Sequence, residues 1–292
     1  MIQNNPEFCF CSLAIGQQYR ALALLLAQDI EKYSPNTAFI ILTDKPQDFR
    51  HQSNVIAYKH QQQGIKCYHD KRFAISKGLL HCDSCIYIDA DMRIISPMAP
   101  IEWIHEPGIA ARACDNMPKK YVKITEKKDD KKLQKEYIIT RQAAKKLDLD
   151  KDWGNLKFVY EYLFAVTKDN GKEAKFIEYW GQLAPYFELN GVLDGEGNAI
   201  GLAAAKAGLN IRWSEMKGIP FFKDRTELVR VKKGESNMKE MSAYFEKQQQ
   251  LEYSHSMLTR IYKKCINIFI ALVNLIKLRF YTLNNFDFYY RH

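Results

Sequence analysis

Residues 85–94 read CIYIDADMRI. Four strand-forming residues, Cys85, Ile86, Tyr87 and Ile88, deliver two carboxylates, Asp89 and Asp91, with a single alanine between them. Like charges so close raise each other's pKa and cost stability where water is scarce, so a positive group has to compensate.

The segments on either side set the context. EFCFCSLA (7–14) has β character, Gly16 marks a turn, and 17–33 carries apolar residues at helical spacing. AFIIL (38–42) reads as a buried strand ending at Thr43-Asp44, 54–58 as a third strand, 69–80 as a helix, and 85–88 as the strand that presents the acids. The order βαββαβ predicts an α/β fold, with a mainly parallel sheet covered by helices. Further strands are expected at 108–113, 158–167 and 209–213, and helices at 172–187, 196–207, 239–251 and 256–283. Ligands of such sheets sit beyond the carboxyl ends of the strands, where the strand order reverses, and Asp89 and Asp91 fall at that place.

The chain has 292 residues, 47% of them hydrophobic and 26% charged, the make-up of a globular protein rather than a fibrous or disordered one. Its formal charge of +9 points to an anionic partner. Much of that charge lies in a Lys/Asp/Glu run at 119–151, which reads as a solvated helical face or loop. Neither an aromatic ladder nor a nucleic-acid motif accompanies it, so nucleic acid is not the expected partner. The start of the chain lacks a basic, apolar secretory pattern, and seven cysteines suit reduced thiols, so a cytoplasmic protein is expected. His81, Cys82 and Cys85 lack a second cysteine pair at zinc spacing and read as buried groups beside the strand.

Two carboxylates are hard ligands for Mn²⁺ or Mg²⁺, and a metal held by so few protein groups keeps positions open for phosphate oxygens. The competing reading is a strand-terminal turn with solvated acids. A second turn-rich segment, NGVLDGEGN (190–198), puts Asp194 and Glu196 immediately before a helix. There they either serve a mobile site or only cap the helix dipole.

Together these pieces resemble the GT-A glycosyltransferases, which carry an Asp-x-Asp at this place in a Rossmann-like sheet. LAIGQQY (13–19), IILTDKP (40–46) and DSCIYIDADM (83–92) are similar in order and spacing to segments of the family-six α-galactosyl and N-acetylgalactosaminyl transferases. Family-eight type enzymes are also close in pattern. The resemblance covers about residues 7 to 213. It implies a GT-A catalytic domain at 1–215 interrupted by the lysine-rich insertion 116–155, a segment at 216–255 that closes the site, and a helical tail at 256–292. It implies a nucleotide-sugar donor, a UDP-sugar first, held by Leu13, Ala14, Ile15, Tyr19, Lys71, Arg72 and Asp89. The metal would be held by Asp89, Asp91 and His255, with Asp91 the more direct ligand. Glu196, and after it Asp194, would be the catalytic carboxylate, as general base or on the opposite face of the anomeric carbon. Glycines replace the family's intervening residues in that segment, so the resemblance does not choose between retention and inversion.

The acceptor implied is a saccharide or a lipid-linked glycan. Residues 258–283 are strongly apolar with basic ends but contain Asn267 and Asn274, a pattern for a helix lying on the inner leaflet or packed on the core rather than spanning. A sugar-phosphate nucleotidyltransferase would be expected to show an N-terminal Gly-x-Gly-x-x-Gly loop, which this sequence lacks. A non-catalytic nucleotide-sugar or glycan-binding module keeps the same fold and differs by showing no donor hydrolysis.

Overall fold

A computed structural model describes residues 7–122, 130–222, 234 and 257–291 of the chain. The elements begin with β1 (Phe8–Ala14), α1 (Gln17–Tyr33), β2 (Phe39–Thr43), β3 (Val55–Lys59), α2 (Lys71–Gly78), β4 (Ser84–Ile88) and the short β5 (Arg93–Ile94). There follow β6 (Gly108–Ala111), β7 (Cys114–Asn116), α3 (Met117–Tyr121), α4 (Lys131–Lys146), β8 (Lys157–Val159) and β9 (Leu163–Thr167). The rest comprises α5 (Lys172–Leu189), α6 (Glu196–Ala207), β10 (Ile211–Trp213), β11 (Phe221–Phe222), α7 (Met257–Thr282) and α8 (Phe286–Tyr290).

Alternation along β1 creates two cores, because successive strand side chains point to opposite faces. Cys9, Cys11 and Leu13 join the layer of α2, α5 and α6, while Phe10 and Ala14 join the layer of α1. Seven strands form the central sheet in the order β10-β6-β9-β4-β1-β2-β3. All neighbours are parallel except β9, which runs antiparallel to both β4 and β6. Strands β1, β2 and β4 are covered on both faces and read as continuous apolar runs for that reason.

The structure departs from expectation in three places. The run 158–167 is two strands: β8 pairs with β7 outside the main sheet, and only β9 enters it. The chain turns between them because the Tyr160 amide donates to Ala113 O (2.8 Å) and the Tyr162 carbonyl accepts from the Asp89 amide (3.0 Å). The helix expected over 69–80 opens with a 3-10 turn, Tyr68–Asp70, and its α-helical part ends at Gly78. In the lysine-rich run, α4 is solvated on one face only. Its other face buries Ile139, Thr140, Ala143 and Ala144, and Asn198 of α6 donates to Tyr121 Oη, Glu136 Oε1 and Thr140 Oγ1 at 2.8–3.1 Å. The helix expected at 239–251 lies outside the described residues. Cys9, Cys11, Cys82 and Cys85 are free and buried. Among the described residues no helix is long and apolar enough to cross a membrane.

Candidate functional site

The strand order reverses between β1 and β4: β1 continues to β2 and β3 on one side, and the later strands lie on the other. The loops leaving these two strands therefore enclose a crevice at their carboxyl ends. After β1 the chain turns at Gly16, whose φ of 86° suits a residue without a Cβ. The turn is anchored by the Gly16 amide donating to Asp44 Oδ1 (3.1 Å) and by Arg20 clasping Asp44 and Asp48. Tyr19 stands on the first turn of α1, 47% exposed, and burial followed by Asp91 raises the pKa of its hydroxyl. After β4, a turn closed by the Met92 amide on Asp89 O (2.9 Å) presents Asp89 and Asp91, both half-buried.

The compensating cation is Lys71, the first residue of α2. Its Nζ lies 3.2 Å from Asp89 Oδ1 and 3.6 Å from Glu196 Oε1, and it donates a hydrogen bond to the Glu161 carbonyl at 3.3 Å. The Tyr87 hydroxyl donates to the same Asp89 oxygen at 3.0 Å, and the Tyr87 ring lies 5.3 Å from the ammonium. Lys71 is 6% exposed. Burial acts to lower its pKa, and Asp89, Glu196 and Glu161 outweigh that and hold it above the ordinary lysine value.

Glu196 is 3% exposed, and its Oε2 has no hydrogen-bond partner among the described residues. Burial raises its pKa above the ordinary carboxylate value, Lys71 opposes the shift, and Glu161 adds to it. Asp89 is raised in the same way, by burial, against Lys71 and with Asp91 adding repulsion. Glu196 reaches this position because α6 presses on β8: a Cβ on Gly197 or Gly201 would overlap the carbonyl oxygens of Val159 and Lys157. The approach brings Glu196 beside Glu161, in the turn between β8 and β9.

Asp89, Glu161 and Glu196 thus act on one buried ammonium and Asp91 acts on Asp89, so carboxylates outnumber the cation here. Such an excess fits a cation as occupant, and the Asp91 carboxylate with the second oxygen of Asp89 are hard donors suited to Mn²⁺ or Mg²⁺. Among the described residues no three His, Cys, Asp or Glu are grouped to hold a metal. His255 lies outside the described residues.

The remaining expected residues fall in different places. Ile15 is half-buried just past β1, whereas Leu13 and Ala14 are buried, one in each of the two cores. Asp194 is on the surface, paired with Lys132 of α4 at 2.5 Å, while Glu196, two residues on, is inside. Arg72 does not join Lys71: it donates to His69 O (2.8 Å), pairs with Asp70 (3.7 Å) and stacks on Phe73, facing a separate cavity. Residues not anticipated are Tyr87 and Glu161, together with Cys67 and Tyr68, whose pKa values burial raises and Glu196 pushes further. Tyr87 was within reach of strand periodicity, since it precedes Asp89 by two. Neither a protein-family model nor a curated protein matches the chain.

Proposed function

We propose that the protein is a metal-dependent glycosyltransferase of the GT-A kind, moving a sugar from a nucleotide-sugar, a UDP-sugar first, to a hydroxyl of a saccharide or lipid-linked acceptor. The observation that carries this reading is the Lys71 bridge between Asp89 and Glu196, at the point where the strand order reverses. A donor diphosphate is anionic and could not lie against these carboxylates alone. Mn²⁺ or Mg²⁺ would neutralise it and stabilise the leaving diphosphate.

In transfer, the bond between the anomeric carbon and the donor phosphate oxygen breaks, and the electron pair leaves with the diphosphate. The acceptor hydroxyl oxygen forms the new bond to that carbon, and its proton passes to Glu196. A carboxylate raised above its ordinary pKa is a stronger base near neutral pH, which suits this role. Lys71 holds Asp89 and Glu196 at a fixed spacing, and Tyr19 offers a flat face and a hydroxyl to the base or ribose.

Helix α7 supports a lipid-side acceptor. Phe269, Leu272, Ile276 and Phe280 are exposed at three- to four-residue spacing and form one apolar stripe. At 3.6 residues per turn, the exposed Lys277 and Arg279 fall on its two flanks. An apolar stripe edged by cations suits an anionic leaflet, and this face would hold the enzyme at the membrane as a cytoplasmic, peripheral protein.

The test is a thermal-shift panel of UDP-, GDP-, CMP- and dTDP-sugars with and without Mn²⁺, since a ligand that binds only the folded state raises its stability. One sugar nucleotide should stabilise the protein in the presence of Mn²⁺ and far less without it. No stabilisation by any member of the panel would remove the donor assignment.

A further inference from the structure

Between α2, α5 and α7 lies a cavity of about 330 Å³ that is separate from the crevice. The segment 68–72 divides its side chains between the two: Tyr68 and Lys71 act with Glu196, whereas His69 and Arg72 line the cavity. The cavity wall contains two buried acidic side chains. Asp70 is 1% exposed and Glu188 3%, and a buried charge is costly unless paired.

The acidic groups are already engaged. Asp70 Oδ2 accepts from His60 Nε2 (3.0 Å) and the Gln63 amide (2.9 Å), and Glu188 accepts from the amides of Ile65 (2.8 Å) and Lys66 (2.9 Å). The cationic wall groups are the Arg72 guanidinium, which gives Nη1 to the His69 carbonyl and to the Asp70 pair at 3.7 Å and leaves its other N–H groups for a ligand, and the exposed ammonium of Lys277. Planar guanidinium forks match carboxylate and phosphate oxygens.

A second feature points to hydroxyl groups. Pro185 lies inside α5 and has no N–H to give the carbonyl of Gly181 four residues earlier, and both residues line the cavity. Tyr281 adds a ring and a hydroxyl, and Phe73 an apolar wall. At about 330 Å³ the cavity lies at the small end of ligand pockets, a size that suits a monosaccharide.

We propose that this cavity is a second binding site, for a phosphorylated or carboxylated monosaccharide whose anion pairs with Arg72 and Lys277 and whose hydroxyls meet Gly181 O and Tyr281. The site is independent of the transfer reaction, so it is measured without metal or nucleotide, by calorimetric titration of the full chain with glucose 6-phosphate, glucuronate and uncharged glucose. One of the two anionic sugars should bind at least about tenfold more tightly than glucose, and the tighter of them identifies the anion. Lys277→Glu, a surface change that leaves the fold intact, should weaken that binding about tenfold or more, and Arg72→Gln likewise. Asp91→Asn should leave it unchanged, which separates this site from the crevice. Equal affinity for glucose, no saturable binding of any probe, or undiminished binding in Lys277→Glu would overturn the proposal.

Discussion

The Lys71 ammonium stands 3.2 Å from Asp89, joining the first residue of α2 to the first residue beyond β4. The repulsion that the Asp-x-Asp pair creates is therefore met from inside the protein before any ligand arrives. Lys71 also reaches Glu196, so three elements distant in sequence share one charge.

Replacing Lys71 by Met should expose that arrangement. Removing one partner of a buried ion pair costs on the order of 3 kcal/mol, because the other charges are left uncompensated. Lys71 is cationic across the whole range, so its stabilising effect persists while Asp89 and Glu196 are ionised and is lost as falling pH protonates them. The loss of melting temperature in Lys71→Met should be larger at pH 8 than at pH 5, and an equal loss at both would show that the lysine acts by packing alone.

Glu188 should make the fold pH-sensitive. Burial raises its pKa to about 7, against the two backbone amides that lower it. The folded state therefore holds a proton that the unfolded chain releases at a lower pH. Stability from this group is greatest below the unfolded carboxylate value of about 4.3 and falls as pH rises towards 7. Thermal melts from pH 5 to 8 should show a decline on the order of 2 kcal/mol that Glu188→Gln flattens. An unchanged slope in the variant would assign the decline to other groups.

Helix α7 should fail at membranes when its stripe is made polar. Phe269→Glu with Phe280→Glu changes exposed residues while leaving buried Asn274, Leu278 and Thr282 in place. Co-sedimentation with vesicles containing anionic lipid should drop at least about tenfold, with the melting temperature kept. Binding equal to the parent protein would free the helix from that role.

Much of the architecture was legible because buried parallel strands announce themselves. The apolar runs at β1, β2 and β4 cannot be solvent-facing, and acids directly after β4 mark its carboxyl end. The side-chain partners were less legible. Lys71 and Arg72 are neighbours in sequence, yet adjacent helix residues differ by about 100°, which sends one into the crevice and the other into the second cavity. Glu161 was hidden because Tyr160 and Tyr162 have strand propensity, and only the hydrogen bonds to Ala113 and Asp89 reveal the turn. Leu13 and Ala14 matched a donor-binding pattern, and the strand's alternation puts one in each core.

The central claim is that Glu196 takes the acceptor proton while the Asp89–Asp91 turn and its cation hold the donor. It is tested most directly by measuring Mn²⁺-dependent sugar transfer and donor affinity together in Glu196→Gln. The account predicts transfer lowered by about 10²-fold or more, as for loss of a general base, with donor affinity nearly unchanged. Normal turnover in Glu196→Gln would contradict it.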